Sequence, residues 1–297
     1  MTARIIDGKQ VAADMRAELK EKVTRMKEKG IVPGLGVILV GEDPASKSYV
    51  SAKEKACEEI GIYSSDNRLP AETAQEELMA LVRKMNDDPR IDGILVQLPL
   101  PKHLNEGEVL LAINPAKDVD GFHPVNVGKM VVGEEGFLPC TPHGVIQLLI
   151  RSNVKIEGAE VVVVGRSNIV GKPVANMLIQ KSRTGNATVT VCHTRTKNLA
   201  DHVRRADIII AAAGRPNTVT ADMVKDGAVV IDVGVNRVED ASKKSGYRLV
   251  GDVDFEAVKE KASLITPVPG GVGPMTITML LYNTVESARK AAARGEK

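Results

Sequence analysis

Aromatic residues are nearly missing from this chain, which holds no Trp, three Phe and four Tyr in 297 residues. The core must therefore be aliphatic, and a tyrosine on a polar segment gains weight as a functional candidate. Charge of one sign is also lacking. The 40 Lys and Arg against 38 Asp and Glu leave a formal net charge of +2, so bulk electrostatics make no case for nucleic-acid binding. No apolar run approaches the roughly 18 residues a membrane span needs, so no membrane partner is expected. The three cysteines, Cys57, Cys140 and Cys192, are odd in number and widely spaced. That pattern suits free thiols in a reducing cytoplasm and speaks against a disulfide framework or a metal site. The opening residues show no signal-peptide pattern and carry an early acid, Asp7, so neither a secretory leader nor a transit peptide is expected. Internal repeats and low-complexity tracts are absent too.

What is present is ordinary in bulk: 43% hydrophobic and 26% charged residues, typical of a globular protein. The length suits two domains better than one. The informative stretch is Gly165-Arg166-Ser167-Asn168-Ile169-Val170-Gly171-Lys172-Pro173. A short apolar run, residues 159–164, precedes it and reads as a buried parallel strand. Residues 174–179 follow and read as a helix. Strand, glycine turn and helix together place a phosphate on a helix N-terminus. Gly165 permits the sharp turn and Gly171 a close backbone approach, while Pro173 suits a first helical turn. Ser167 stands where the common fingerprint has its second glycine. Arg166 and Ser167 put a cation and a hydroxyl near the ribose-phosphate position. The next strand ends at Cys192 and is followed by His193-Thr194-Arg195, with no acid to bond a ribose 2′-hydroxyl. Both features favour NADP over NAD.

Along the chain, helix and strand alternate. Helices are expected over 9–29, 45–60, 73–86, 142–151 and 275–292. Thr73 and Glu76 form a candidate capping box, and Gly61 a C-terminal stop. Strands are expected over 35–40, 93–98, 159–164, 187–192, 207–212, 228–233 and 264–266, with a weaker one over 62–69. The stretch 113–140 reads as an irregular connection. This alternation implies a parallel, doubly wound sheet.

Four further constellations draw attention. Tyr49 and Lys53, four apart on a helix, would share a face; a ring can stack on a flat substrate while an amine moves a proton. A solvated amphipathic helix would carry the same pair. Gln97 is the one amide in an apolar strand, near its C-terminal end, where ligands bind in open α/β sheets; it would bond a substrate, the Lys53 amine or neighbouring backbone. Asp120 in Asp118-Val119-Asp120-Gly121 either accepts paired N–H bonds from a guanidine-like edge such as a pterin's or holds its own turn. The knot Pro267-Val268-Pro269-Gly270-Gly271-Val272-Gly273-Pro274-Met275-Thr276 is either a ligand wall or a hinge.

Taken in order, these pieces resemble one family. They are joined by Val96-Gln97-Leu98-Pro99-Leu100-Pro101, Lys117 to Gly121, Pro139-Cys140-Thr141-Pro142, Asp232-Val233-Gly234-Val235-Asn236 and Gly251-Asp252-Val253. The set is similar to bifunctional methylenetetrahydrofolate dehydrogenase/methenyltetrahydrofolate cyclohydrolase across nearly the whole chain. The resemblance implies an α/β protein of two domains with the active site in a cleft between them. A folate-binding catalytic domain would span 1–138, with a helix at 275–297 packing back on it, and a Rossmann-like NADP-binding domain would span 139–274. It implies Lys53 as the key cyclohydrolase residue, Tyr49 stacking on the folate, Gln97 positioning the lysine and Asp120 holding the pterin. Val96, Leu98, Pro267, Gly271 and Thr276 join the implied substrate site. The implied NADP site comprises Thr141, Gly165, Arg166, Ser167, Ile169, Val170, Gly171, His193, Thr194, Ala213, Gly214 and Val235. A homodimer paired through the nucleotide domain is implied as well.

Chemistry agrees with that division. The ring nitrogen of 5,10-methylenetetrahydrofolate can push out a hydride without a strong protein base, given alignment. Hydration of the resulting methenyl cation moves protons, so an acid/base group becomes valuable. Burial and a cationic substrate would both lower the Lys53 pKa. Competing readings are a monofunctional dehydrogenase of the same fold, a two-domain NADP enzyme acting on a small acid, and a non-catalytic nucleotide sensor.

Overall fold

The computed structural model describes residues 2–243 and 246–297. In chain order the elements are β1 (Arg4–Ile5), α1 (Gly8–Lys27), β2 (Gly34–Val40), α2 (Pro44–Ile60), β3 (Tyr63–Leu69), α3 (Gln75–Asp87), β4 (Gly93–Val96), α4 (Glu106–Ala112), α5 (Pro124–Val132) and α6 (Cys140–Arg151). They continue as β5 (Glu160–Val164), α7 (Gly171–Ile179), β6 (Thr188–Cys192), α8 (Leu199–Val203), β7 (Ile208–Ala211), β8 (Val229–Asp232), β9 (Asn236–Glu239), β10 (Tyr247–Val250), α9 (Phe255–Val258), β11 (Leu264–Ile265) and α10 (Val272–Ala293). The chain divides into two compact units. One holds the N-terminal stretch up to Ala12 with Thr141–Thr276; the other holds Ala13–Cys140 with Ile277–Lys297.

The first unit is built on a six-stranded sheet in the order β1-β11-β8-β7-β5-β6, and every pairing is parallel. Its central strands β7 and β8 are buried along their whole length, as their Ile and Val runs require. Each such aliphatic side chain stabilises the fold by roughly 1.5–3 kcal/mol. The strand order reverses beside β5: β6 lies on one flank and β7 on the other, which makes the carboxyl end of β5 a topological switch point. A short antiparallel pair, β9 with β10, completes this unit.

The second unit carries the parallel sheet β3-β2-β4. Strand β2 is wholly buried. Helix α2 starts cleanly because the Asp43 side chain accepts from the Ser46 N–H and Pro44 occupies the first turn; it ends at Gly61, whose φ of 82° is left-handed, a position suited to glycine. Helix α10 is tied into this unit by polar side chains. Asn283 Nδ2 donates to the Val119 and Leu138 carbonyls, and Ser287 Oγ to those of Asp92 and Ala116.

The N-terminal residues up to Ala12 group with the nucleotide unit, where Arg4 and Ile5 pair with Leu264 and Ile265. Two local expectations need correction. Helix α3 begins at Gln75 after Ala74 without a side-chain cap, so the Thr73–Glu76 capping box does not form; Thr73 Oγ1 is instead buried without a hydrogen-bond partner. The stretch 113–140 is not irregular throughout. It contains α5, entered through His123, whose ring nitrogen accepts from the Val125 N–H, with Pro124 next.

Candidate active site

In the second unit, α2 and the end of β4 bring two expected residues together. Lys53 is buried, with 8% exposure, and its Nζ donates to Gln97 Oε1 at 2.9 Å. Gln97 lies one residue past β4. Its Nε2 donates to the Leu98 carbonyl at 2.7 Å and its backbone N–H to Ile38 at 2.9 Å. The amide is thereby locked with its oxygen facing the amine. Burial lowers the Lys53 pKa below 10.5, opposed by the negative charge of Asp120. Desolvation favours the neutral amine, the form that can accept a proton.

Asp120 keeps some exposure, but protein crowds it, and this desolvation pushes its carboxyl up to about 6; Lys53 pulls the other way. The turn around it is held by Asp118, which accepts from the Phe122 and His123 N–H groups and from Asn126 Nδ2. That leaves the Asp120 carboxylate available for a ligand. The buried thiol of Cys140 donates to the Val119 carbonyl at 3.3 Å. Tyr49, on the same helix as Lys53, is 50% exposed, as a stacking ring must be before its partner arrives. Val96 is buried at the end of β4 and Leu98 is half-buried after it.

In the first unit, the carboxyl ends of β5, β6 and β7 open into a cavity of about 350 Å³. Val164, Gly165, Arg166, Ser167, His193 and Thr194 line one part of it, with Ala212, Ala213 and Arg215 opposite. Gly165 has a φ of 140°, and a Cβ there would lie 2.0 Å from the Ala212 carbonyl oxygen. A Cβ on Gly171 would lie 2.3 Å from the Gly165 carbonyl oxygen. The loop therefore folds back on itself only with glycine at both places. Ser167 Oγ accepts from the Val170 and Gly171 N–H groups at 3.2 and 3.4 Å, so its own O–H can point outward. Arg166 and Ile169 are exposed. This cradle, with a cation and a hydroxyl at its lip, fits a dinucleotide phosphate group.

A second cation of the lining is Arg215. Arg215 follows β7 in a loop with no motif of its own. Thr141 and Thr276 join through their hydroxyls at 2.9 Å. Gly271 packs so closely on Gly8 that a Cβ on Gly8 would lie 1.7 Å from its carbonyl oxygen. Pro267 lines a separate cavity beside the β9–β10 pair, and Val235 is exposed. Among the described residues, no group of three His, Cys, Asp or Glu is placed to hold a metal ion, and no helix is long and apolar enough to cross a membrane.

A dinucleotide cavity at the switch point of a doubly wound sheet, on one chain with a second α/β unit that holds a desolvated lysine, defines a two-domain nucleotide-dependent enzyme. Comparison with known proteins then fixes the family. The model of the tetrahydrofolate dehydrogenase/cyclohydrolase catalytic domain matches residues 6–120, and that of the family's NAD(P)-binding domain matches residues 139–292. The chain belongs to the tetrahydrofolate dehydrogenase/cyclohydrolase family. It is 60% identical to the bifunctional protein FolD of Syntrophus aciditrophicus over 98% of this chain and 99% of that one. To the FolD of Moorella thermoacetica it is 59% identical, over 98% and 100%. Among solved structures it is similar to the bifunctional FolD enzyme of Campylobacter jejuni, with a TM-score of 0.91 and 53% identity over 97% and 99% of the two chains. It also matches the Trypanosoma brucei dehydrogenase-cyclohydrolase complexed with NADP cofactor and inhibitor, with a TM-score of 0.93 and 43% identity over 98% and 99%.

Proposed function

We propose that the Lys53–Gln97 pair, facing Asp120, is the cyclohydrolase centre of a bifunctional enzyme, and that the Gly165–Gly171 cradle holds its NADP. The chain oxidises 5,10-methylenetetrahydrofolate to the methenyl compound and hydrolyses that to 10-formyltetrahydrofolate. When bound, NADP accepts the hydride from the bridging carbon. Asp120 anchors the pterin through paired N–H bonds, and Tyr49 covers its face. Val96 and Leu98 bound the site. The family resemblance assigns Pro267, Gly271 and Thr276 to substrate binding as well.

The hydrolytic step relies on Lys53. Its neutral amine takes a proton from the water that attacks the methenyl carbon, and the ammonium so formed protonates the ring nitrogen as that C–N bond breaks. The hydroxyl proton of the intermediate leaves to water as the formyl group forms. Gln97 keeps the amine aimed while its protonation changes. On the nucleotide, Arg166 and the Ser167 hydroxyl contact the 2′-phosphate. Ile169, Val170, Gly171, His193, Thr194, Ala213, Gly214, Thr141 and Val235 complete the site.

The observation that carries this reading is the desolvated Lys53 amine held at 2.9 Å by Gln97. A monofunctional dehydrogenase has no use for it. By the family resemblance the reading extends to a homodimer paired through the nucleotide domain; three buried free thiols support a reducing, cytoplasmic location. The test mixes purified protein with 5,10-methylenetetrahydrofolate and NADP, then NAD, following reduced cofactor and methenyl product. Reduced NADP with little methenyl accumulation is expected. Methenyl product accumulating in step with reduced cofactor would leave only the dehydrogenase.

A further inference from the structure

Two buried carboxylates in the nucleotide unit, Asp232 and Asp252, have no part in the chemistry above. Asp252 has no exposed surface and Asp232 has 2%. A buried charge is costly unless every lone pair is engaged, and here N–H groups engage them. Asp252 Oδ2 accepts from the Ala213 and Gly214 N–H groups at 2.6 and 2.8 Å. Its Oδ1 accepts from Asn236 Nδ2 at 2.9 Å. Asp232 in turn accepts from the Asp252 and Gly234 N–H groups through Oδ1, at 2.9 and 3.0 Å, and from the Val253 N–H through Oδ2, at 3.0 Å. Thr266 Oγ1 accepts the Asp232 N–H at 2.7 Å.

The surroundings are shaped for these carboxylates. A Cβ on Gly234 would lie 2.1 Å from Asp252 Oδ1, and one on Gly251 would lie 1.8 Å from Asp232 Oδ2. Both glycines are needed for the carboxylates to sit where they do. The segment Asp252 grips follows β7 across the carboxyl end of the sheet, and Ala212, Ala213 and Arg215 from it line the cavity. Three N–H donors converge on Asp252. An asparagine in its place would turn an N–H₂ toward donors on one side, so only a carboxylate satisfies them all.

We infer that Asp252 is a positioning residue for the dinucleotide: it fixes the Ala213–Gly214 wall of the cavity, and Asp232 fixes Asp252. The inference rests on the cavity being the NADP site. It separates from the role of Arg166, whose charge reads the 2′-phosphate. A misplaced wall weakens NADP and NAD alike, whereas Arg166→Ala weakens NADP more than NAD.

The experiment compares wild type with Asp252→Asn. NADP and NAD are titrated calorimetrically without folate, and methenyl hydrolysis is assayed without nucleotide. Weaker binding of both nucleotides, by about tenfold, is expected from loss of a charge-assisted double hydrogen bond, with hydrolysis within about twofold of wild type because no nucleotide enters that step. Unchanged affinity in the folded variant would overturn the inference, as would hydrolysis falling in proportion to binding. Should Asp252→Asn fail to fold, Asn236→Ala removes one donor and is titrated instead; weaker binding of both nucleotides supports the clamp and unchanged binding refutes it. Failure of the wild type to bind either nucleotide would instead remove the assignment of the cavity.

Discussion

Asp120 shows how a single side chain is tuned by its surroundings. Its carboxyl sits at about 6 rather than 3.8 because desolvation outweighs the attraction of Lys53. The folded state therefore binds that proton more tightly than the unfolded chain, and stability falls as the pH rises from about 4 through 6. Above that window the cost is fully present. Asp120→Asn is expected to raise the melting temperature by a few degrees at pH 8 and by nothing at pH 4, while folate turnover collapses. A lower melting temperature at pH 8 would mean that the Asp120 charge stabilises the fold on balance. Sequence spacing left two roles open for this residue, turn-holder or ligand anchor. The structure gives the turn to Asp118, two positions earlier, a distinction that spacing cannot make.

At the scale of elements, the β5–loop–α7 unit was legible because backbone sterics leave little choice. A Cβ at Gly165 would overlap the Ala212 carbonyl at 2.0 Å, on top of a φ of 140°. Gly165→Ala is expected to weaken NADP by at least about tenfold in titration and to leave methenyl hydrolysis intact; unchanged affinity would show that the loop does not hold the nucleotide. Strands β2, β5 and β7 were legible as apolar runs buried on both faces. What escaped was short or held by distant backbone. Strand β1 has two residues and exists only through pairing with β11. Helix α5 starts at a histidine cap, which no common signature describes. The Thr73–Glu76 pattern fits a capping box, yet the chain enters α3 one residue later. The Asp232–Asp252 clamp left no periodic trace, since its partners are N–H groups from three separate segments.

For the whole molecule, the proposed hydrolytic residues and the nucleotide cradle lie in different units of the chain. Lys53, Gln97 and Asp120 lie in Ala13–Cys140, and the nucleotide cradle lies in Thr141–Thr276. The ordered motifs made this bipartite plan legible, whereas the pairing of Arg4 and Ile5 with Leu264 and Ile265 left no mark in the sequence. The plan predicts that proton transfer and nucleotide binding can be removed one at a time. The most direct test is Lys53→Met, assayed for hydrolysis of 5,10-methenyltetrahydrofolate and, separately, for NADP reduction with 5,10-methylenetetrahydrofolate. Loss of hydrolysis to background with dehydrogenase activity still measurable is the expected result. Equal loss of both activities, with folate binding intact, would contradict the assignment of Lys53 to the hydrolytic step.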